Sequence, residues 1–306
     1  MLSVWVATAA VLLDRWWLEP RRDYPLVVFG NIAESLEARF NRSQSPVWVQ
    51  QWVGLAGMLG LLAPLVWLFA LLEDTIIKLP LQLAVLYVAL GAGAIERYSK
   101  NIRLALKDRR VVLAREHLSL LLGRDTRALK KPGIINHTVE AILQGGCEAI
   151  LSMLFWFFVA GLPGVVTFRL LGVLHQMWGD RETQTHYFSK SVHGTYNLMN
   201  WIPARLTALS YCLLGNSRRA WYCWQSQAWH WGDANQGAIL SAGAGALGIR
   251  LGGDNLRDGH GAVRAALGEG QSPEINSITA ALEMVRRANV VWLLLAFVVA
   301  GGWRWL

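Results

Sequence analysis

The sequence predicts an all-α fold: a polytopic integral membrane protein with about 4–6 membrane helices and amphipathic cytoplasmic helical segments. The first observation behind this is composition. Of 306 residues, 54% are hydrophobic and only 16% are charged, whereas soluble chains average roughly 25% charged. That balance excludes a disordered chain, a collagen, a disulfide scaffold and an ordinary soluble enzyme. The second is a series of apolar runs close to the roughly 20 residues that a spanning helix needs. The third is the 16 Trp, several of them where apolar runs meet polar ones: Trp16, Trp17, Trp48, Trp201, Trp303 and Trp305. An indole suits the membrane interface, with its ring in the apolar layer and its N–H toward water. Plain core packing is the alternative.

Residues 2–13 form the first apolar run. It lacks a positive start and a clear cleavage site, so it reads as a retained membrane segment rather than a signal peptide, with Asp14 and Arg15 in the interface. Residues 52–72 supply an uncharged run of spanning length, and 79–95 a slightly shorter one. Residues 149–168 contain Gly161 and Pro163, which membrane helices tolerate. Residues 288–303 lie near the lower limit of length. Residues 201–216 are apolar but contain Pro203 and Arg205, which leaves a crossing, a re-entrant segment and a helix on the membrane surface all open. The whole chain, 1–306, reads as one domain. No alternating strand pattern stands out.

The formal net charge is +8, from 29 Lys+Arg against 21 Asp+Glu. Eleven cations lie between Arg97 and Lys131, whereas the link 73–78 is short and slightly acidic. The positive-inside rule therefore puts 96–148 and 14–46 in the cytoplasm and the N-terminus outside. If 201–216 crosses, 217–287 is cytoplasmic too. Topology thus accounts for the basic charge, and no nucleic acid is expected as a partner. Cys147, Cys212 and Cys223 show neither CxxC nor Cys/His metal spacing. Within 96–148, Leu104, Val111, Val112, Leu118, Leu121 and Leu122 keep helical spacing, and Pro132-Gly133 breaks the run.

The chain has no P-loop, HExxH, GxSxG or Cys-rich zinc pattern, and its seven histidines are scattered. No metal ligand is assigned. Four local features remain. Arg115 and then Gly123-Arg124-Asp125-Thr126 offer two arginines for a phosphate or carboxylate; the plainer reading has Gly123 ending a helix and Asp125 capping the next. Glu140 is either chemical or part of a solvated face. Asn200-Trp201-Ile202-Pro203-Ala204-Arg205 presents either an anion-binding arginine or one that snorkels to the interface. Gly237, Ser241 and Gly245 recur every four residues, which suits close helix packing better than an anion nest, while Gly252-Gly253 reads as a helix end.

The order of these motifs resembles the CbiB/CobD family of cobalamin biosynthesis. Leu12-Leu13-Asp14, Glu19-Pro20 and Tyr24-Pro25 through Gly30 are similar to its opening. Ala114-Arg115, Gly123-Arg124-Asp125-Thr126, Val139-Glu140, Gly161-Leu162-Pro163-Gly164, and Asn200 through Thr207 follow in its order. Asn235, Gly237, Ala244 through Gly253 and Arg286-Arg287-Ala288 complete a resemblance over nearly the whole chain. It implies a membrane-bound adenosylcobinamide(-phosphate) synthase, a carbon–nitrogen ligase. Such an enzyme joins aminopropanol or its phosphate to a propionate of adenosylcobyric acid, with ATP and Mg²⁺ activating the carboxylate. The residue types then suggest roles. Arg115, Arg124 and Arg205 suit phosphates and the corrinoid carboxylate, Asn200 and Asn235 suit substrate amides or phosphate, and Asp125 and Glu140 are the candidate catalytic acids and hard oxygen ligands. The implied partners are membrane lipid, the corrinoid and aminopropanol (phosphate). The implied location is the bacterial inner membrane, with the site facing the cytoplasm.

The chain departs from the family pattern at several acids. Leu18-Glu19-Pro20 replaces Gly-Asp-Pro, and Tyr24-Pro25 replaces His-Pro. Gln144-Gly145 and Glu148-Ala149 replace Glu-Asn and Asp-Gly. Gly172-Val173-Leu174-His175 replaces Asn-Thr-Leu-Asp, and Tyr196-Asn197 replaces Asp-Asp. A second expectation follows: a catalytically degenerate paralogue, or a regulatory membrane protein like AmpE, whose opening and aromatic-Val-Pro-x-Arg-Leu segment are similar. A transporter fits less well, because only Arg205 and Arg169 suggest an ionisable pathway.

Overall fold

The computed structural model describes residues 2–16, 24–41, 45–73, 75–179, 186–257 and 263–302. Trp17, Glu19-Pro20, Trp303 and Trp305 lie outside the described residues. The described chain is all-α apart from one hairpin. Three stretches are long and apolar enough to cross a membrane: Val47–Leu72, Lys78–Lys107 and Lys131–Trp178. The expected count of about 4–6 is therefore met only as three. The run at 2–13 lies in a helix of 15 residues, shorter than a full span, and its Asp14 is buried within the protein. The third stretch begins at Lys131, inside the segment assigned to the cytoplasm by charge.

The chain divides into two compact units, one of residues 2–90 and 152–201, the other of 91–151 and 202–306. The first unit holds α1 (Leu2–Trp16), α2 (Tyr24–Phe40), α3 (Val47–Leu72) and α4 (Lys78–Ala89). It also holds α8 (Ser152–Gly179) and the first part of α9 (His186–Leu214). Its core forms around Trp178, fully buried, whose indole N–H donates to the Ala33 carbonyl at 3.2 Å. Phe188 meets that ring edge-on at 4.9 Å. Gly54 lets α3 approach the Phe188 backbone, since a Cβ there would collide with the Phe188 carbonyl. The expected span at 149–168 is interrupted: Gly161 takes φ 60° and ψ −146°, a conformation only glycine holds easily. The Glu73 carboxylate accepts from the freed Leu162 N–H at 3.4 Å and from the Gln82 amide at 3.2 Å.

The second unit contains α5 (Ala92–Lys107), α6 (Val111–Leu122), α7 (Lys131–Gly146), a π-helical turn (Cys147–Leu151) and the end of α9. It continues with α10 (Ser217–Gln227), a 3-10 turn (Ala228–His230), α11 (Ala234–Leu247), β1 (Arg250–Arg257), β2 (Val263–Gly268) and α12 (Ile275–Gly302). Its centre is α7, buried from Gly133 to Glu140 and packed against α5, α6, α11 and α12. Tyr211 donates its O–H to the Leu143 carbonyl at 2.8 Å, and Gly146 leaves room for that hydroxyl. The small residues of α11 act as close-packing positions. Gly237 passes the Ala228 carbonyl, Gly243 faces Leu143 and Gly245 faces the Ala220 backbone.

Gly248, at φ 68°, ends α11, so Gly252-Gly253 are not a helix end but part of β1. That strand pairs antiparallel with β2, Leu251 opposite Leu267, both fully buried. The pairing is irregular between Leu251 and Arg257, so the sequence shows no clean alternation to betray a strand. Pro132 does not break the run either. The break is at Gly123, and Pro132 opens α7, where its missing N–H costs nothing.

Candidate functional site

Gly123 closes α6 in the left-handed conformation, at φ 68°. The loop that follows is clasped from both sides. Thr126, buried, donates its hydroxyl to the Arg115 carbonyl at 2.8 Å, and Arg115 Nε donates to the Leu129 carbonyl at 2.9 Å. Arg115 thus fixes the loop through one nitrogen and keeps its two terminal nitrogens without a partner among the described residues. Arg124 and Asp125 stand exposed on this loop. Asp125 Oδ1 accepts from the Arg127 N–H at 2.9 Å, a local turn. The residue capping α7 is Lys130, so Asp125 is not the N-cap of the next helix.

Glu140 is buried, not part of a solvated face. Its Oε1 accepts from Asn136 Nδ2 at 2.8 Å, and its Oε2 lies 2.9 Å from His137 Nδ1. Asn136 and His137 are buried on the same helix, one turn back. Asn136 Oδ1 accepts from the Gly252 N–H at 3.2 Å, which ties the cluster to β1. Sequence reasoning missed both Asn136 and His137. The available signal was spacing: an amide four residues and an imidazole three residues before the same carboxylate share its helix face.

Arg205, half-buried on α9, donates through Nη1 to Asn235 Oδ1. Asn235 is buried in the first turn of α11, where Asp233 caps the helix by accepting from the Asn235 and Gln236 N–H groups at 2.7 and 2.9 Å. Gln236 in turn accepts from the Trp231 indole N–H at 3.3 Å. A Cβ on Gly252 would lie 3.6 Å from the Trp231 ring. Trp231, bonded to Gln236, thus lies near Gly252, whose N–H is bonded to Asn136.

Asn200 falls in the other unit, where it accepts from the Ser152 hydroxyl at 2.9 Å. Two of the departures from the family pattern, at 172–175 and 196–197, also lie there. His175 stacks on Tyr196 with ring centroids 4.4 Å apart and meets the His193 ring, tilted, at 4.9 Å; Asn197 Nδ2 lies 3.0 Å from His193 Nε2. In the second unit, Gln144 donates to Glu148 at 3.0 Å.

A magnesium nucleotide asks for cationic donors and hard oxygens side by side. The loop fits that requirement: the Arg124 guanidinium and Asp125 Oδ2 are exposed, adjacent in sequence and without partners among the described residues. No group of three His, Cys, Asp or Glu residues that could hold a metal ion occurs among the described residues.

With this geometry established, similarity decides the family. The family described as "CobD/Cbib protein" matches residues 7–285. The chain belongs to the CobD/CbiB family. A protein named Cobalamin biosynthesis protein CobD from Chromobacterium violaceum is 38% identical over 299 residues, covering 95% of each chain. One of the same name from Stutzerimonas stutzeri is 38% identical over 307 residues and 99% of each chain. A Mycobacterium tuberculosis protein, also so named, is 28% identical over 283 residues, covering 90% of this chain and 88% of its own. No solved structure matches the chain. Family membership accounts for the motif order; the cluster around Glu140 adds residues the motifs did not mark.

Proposed function

We propose that this CobD/CbiB family member acts in cobalamin biosynthesis as an adenosylcobinamide(-phosphate) synthase at the cytoplasmic face of the bacterial inner membrane. It forms an amide between a propionate carboxylate of adenosylcobyric acid and the amine of aminopropanol or its phosphate. The observation that carries this reading is the placement in one unit of Arg205, bonded to Asn235, and the buried Glu140 carboxylate, bonded to Asn136. The names of the relatives support the pathway.

Amide formation asks the protein for three things: hold two anionic partners together, exclude water, and take a proton from an ammonium. Arg205 suits a corrinoid carboxylate or a phosphate ester, because its fork is held in place by Asn235. Arg115 and Arg124 suit the nucleotide phosphates, and Asp125 suits their Mg²⁺. When bound, ATP supplies the activation of the carboxylate. Glu140, oriented by Asn136 and His137, accepts the proton that the attacking amine must lose.

The experiment is direct. Purified protein in nanodiscs, given adenosylcobyric acid, aminopropanol phosphate and Mg²⁺-ATP, yields adenosylcobinamide phosphate by mass spectrometry. Protein that neither binds the corrinoid nor consumes ATP contradicts the reading.

One observation favours a second reading, a degenerate paralogue or an AmpE-like regulatory protein. Where the family resemblance expects acids, His175, Tyr196 and Asn197 form an aromatic and amide cluster with His193. Neighbouring genes separate the two: corrinoid genes favour the synthase, an amidase regulator favours the alternative.

A further inference from the structure

Helix α10 carries its large aromatic residues on the outside. Arg218, Trp221, Tyr222 and Gln225 are all exposed and fall at i, i+3, i+4 and i+7, one stripe of the helix; the exposed Trp229 follows within the 3-10 turn. Trp229 is 76% exposed and Tyr222 58%. The opposite stripe is small and buried: Ala220 and Cys223 pack toward α11 and β2. Gln227 fixes that side by bonding both the Gly268 N–H, at 2.5 Å, and the Gly268 carbonyl, at 3.4 Å. This reverses the usual order for a surface helix, which buries its aromatics.

What covers the stripe follows from its neighbours in the same unit. Trp292 on α12 donates its indole N–H to the Ser210 hydroxyl on α9 at 2.9 Å, so the two helices lie side by side there. Around that bond the exposed surface is aliphatic: Val291, Leu294, Leu295 and Val298 on α12, Leu209 and Leu213 on α9. Aliphatic surface of this kind suits acyl chains. It ends at Gly215-Asn216, where α10 starts and Trp, Tyr and Arg replace Leu and Val. Residues 215–232 contain two arginines, four of the Trp and no acid. Arg219 turns inward over Gly248 at the end of α11, which leaves Arg218 on the aromatic stripe. Aromatic rings with polar tips beside an unopposed cation match the headgroup layer of an anionic leaflet.

We propose that α10 lies in the headgroup layer of an anionic lipid leaflet, with Trp221, Tyr222 and Trp229 as its anchors and Arg218 on a lipid phosphate. This places the helix that supports α11, and with it Asn235, against the membrane surface.

The test uses the full chain in vesicles. The native cysteines are buried, so an exposed engineered cysteine takes the label selectively. Tyr222→Cys and, separately, Gln225→Cys carry a polarity-sensitive fluorophore; Leu294→Cys marks the acyl layer and Glu274→Cys the polar start of α12. In phosphatidylglycerol vesicles, headgroup-level nitroxide lipids cut emission at 222 and 225 by roughly half and leave 274 unchanged, and the Arg218→Glu variant reduces this quenching. Quenching at 294 by deep nitroxides, with 222 and 225 no different from 274, overturns the proposal while leaving the membrane reading intact. No quenching at 294 overturns both. Shielding at 222 that rises with the protein-to-lipid ratio, without nitroxide quenching, also overturns it and points to a second copy.

Discussion

Glu140 Oε2 lies 2.9 Å from Nδ1 of His137, with both side chains buried on α7. The other carboxylate oxygen is held by Asn136, so the group has a fixed orientation and two polar neighbours that depend on it. A carboxylate buried in this way is costly unless its partners stay paired. Glu140→Gln keeps the shape and removes the base; turnover should drop about 100-fold or more with the melting temperature nearly unchanged. Glu140→Leu strands Asn136 and His137 and should cost roughly 1–3 kcal/mol of stability. Turnover and thermal unfolding in the same detergent separate the two effects.

Arg205 is judged by its fork rather than its charge. Arg205→Lys retains the cation but loses the planar donor pair aimed by Asn235, so activity should fall about 10-fold or more. Asn235→Ala should also raise KM for the anionic partner, since it removes the acceptor that orients Nη1. Steady-state kinetics with the corrinoid varied checks both.

The loop after α6 yields a contrast. Arg124→Ala and Asp125→Ala remove exposed side chains that cap no helix, so expression and folding should persist while ATP use is lost. Thr126→Val removes the buried hydroxyl bond to Arg115 and should loosen the loop, at a cost of about 1 kcal/mol. Nucleotide binding and expression yield, measured for all three, distinguish contact residues from the clasp.

Gly161 sits in the left-handed region beside Glu73. Gly161→Ala adds a Cβ against that carboxylate as well as backbone strain, and should destabilise the protein by about 1–3 kcal/mol, seen as a lower melting temperature.

Burial pushes the Cys223 thiol up; Glu269 adds to the shift and Arg219 opposes it. A raised thiol pKa keeps the neutral form at pH 7, so Cys223 should alkylate far more slowly than a free thiol and speed up as pH rises. Maleimide labelling of native against denatured protein measures this.

The sequence is informative where one interaction dominates. The apolar run at 52–72 became α3 because nothing polar interrupts it, and Gly123 ended α6 because only glycine turns there cheaply. It is less informative where distant contacts decide. The run at 79–95 splits at Leu90-Gly91 into α4 and α5, with the Gly91 N–H donating to the Ala149 carbonyl at 3.3 Å. The hairpin at 250–268 hides behind glycines and irregular pairing. In the site, motif order marked Arg115, Arg124, Asp125, Glu140, Arg205 and Asn235. Asn136 and His137 were missed, since a lone amide and a lone histidine look structural until a carboxylate is seen to need them. Asn200 lies on the same helix as Arg205 but falls in the other unit.

The most direct measurement is complementation. A strain lacking its cobinamide synthase, fed cobyric acid and expressing this protein, should regain cobalamin-dependent growth. The same strain carrying Glu140→Gln or Arg205→Ala at equal membrane abundance should not. Failure of the unaltered protein to restore growth, with its presence in the membrane confirmed, would contradict synthase activity.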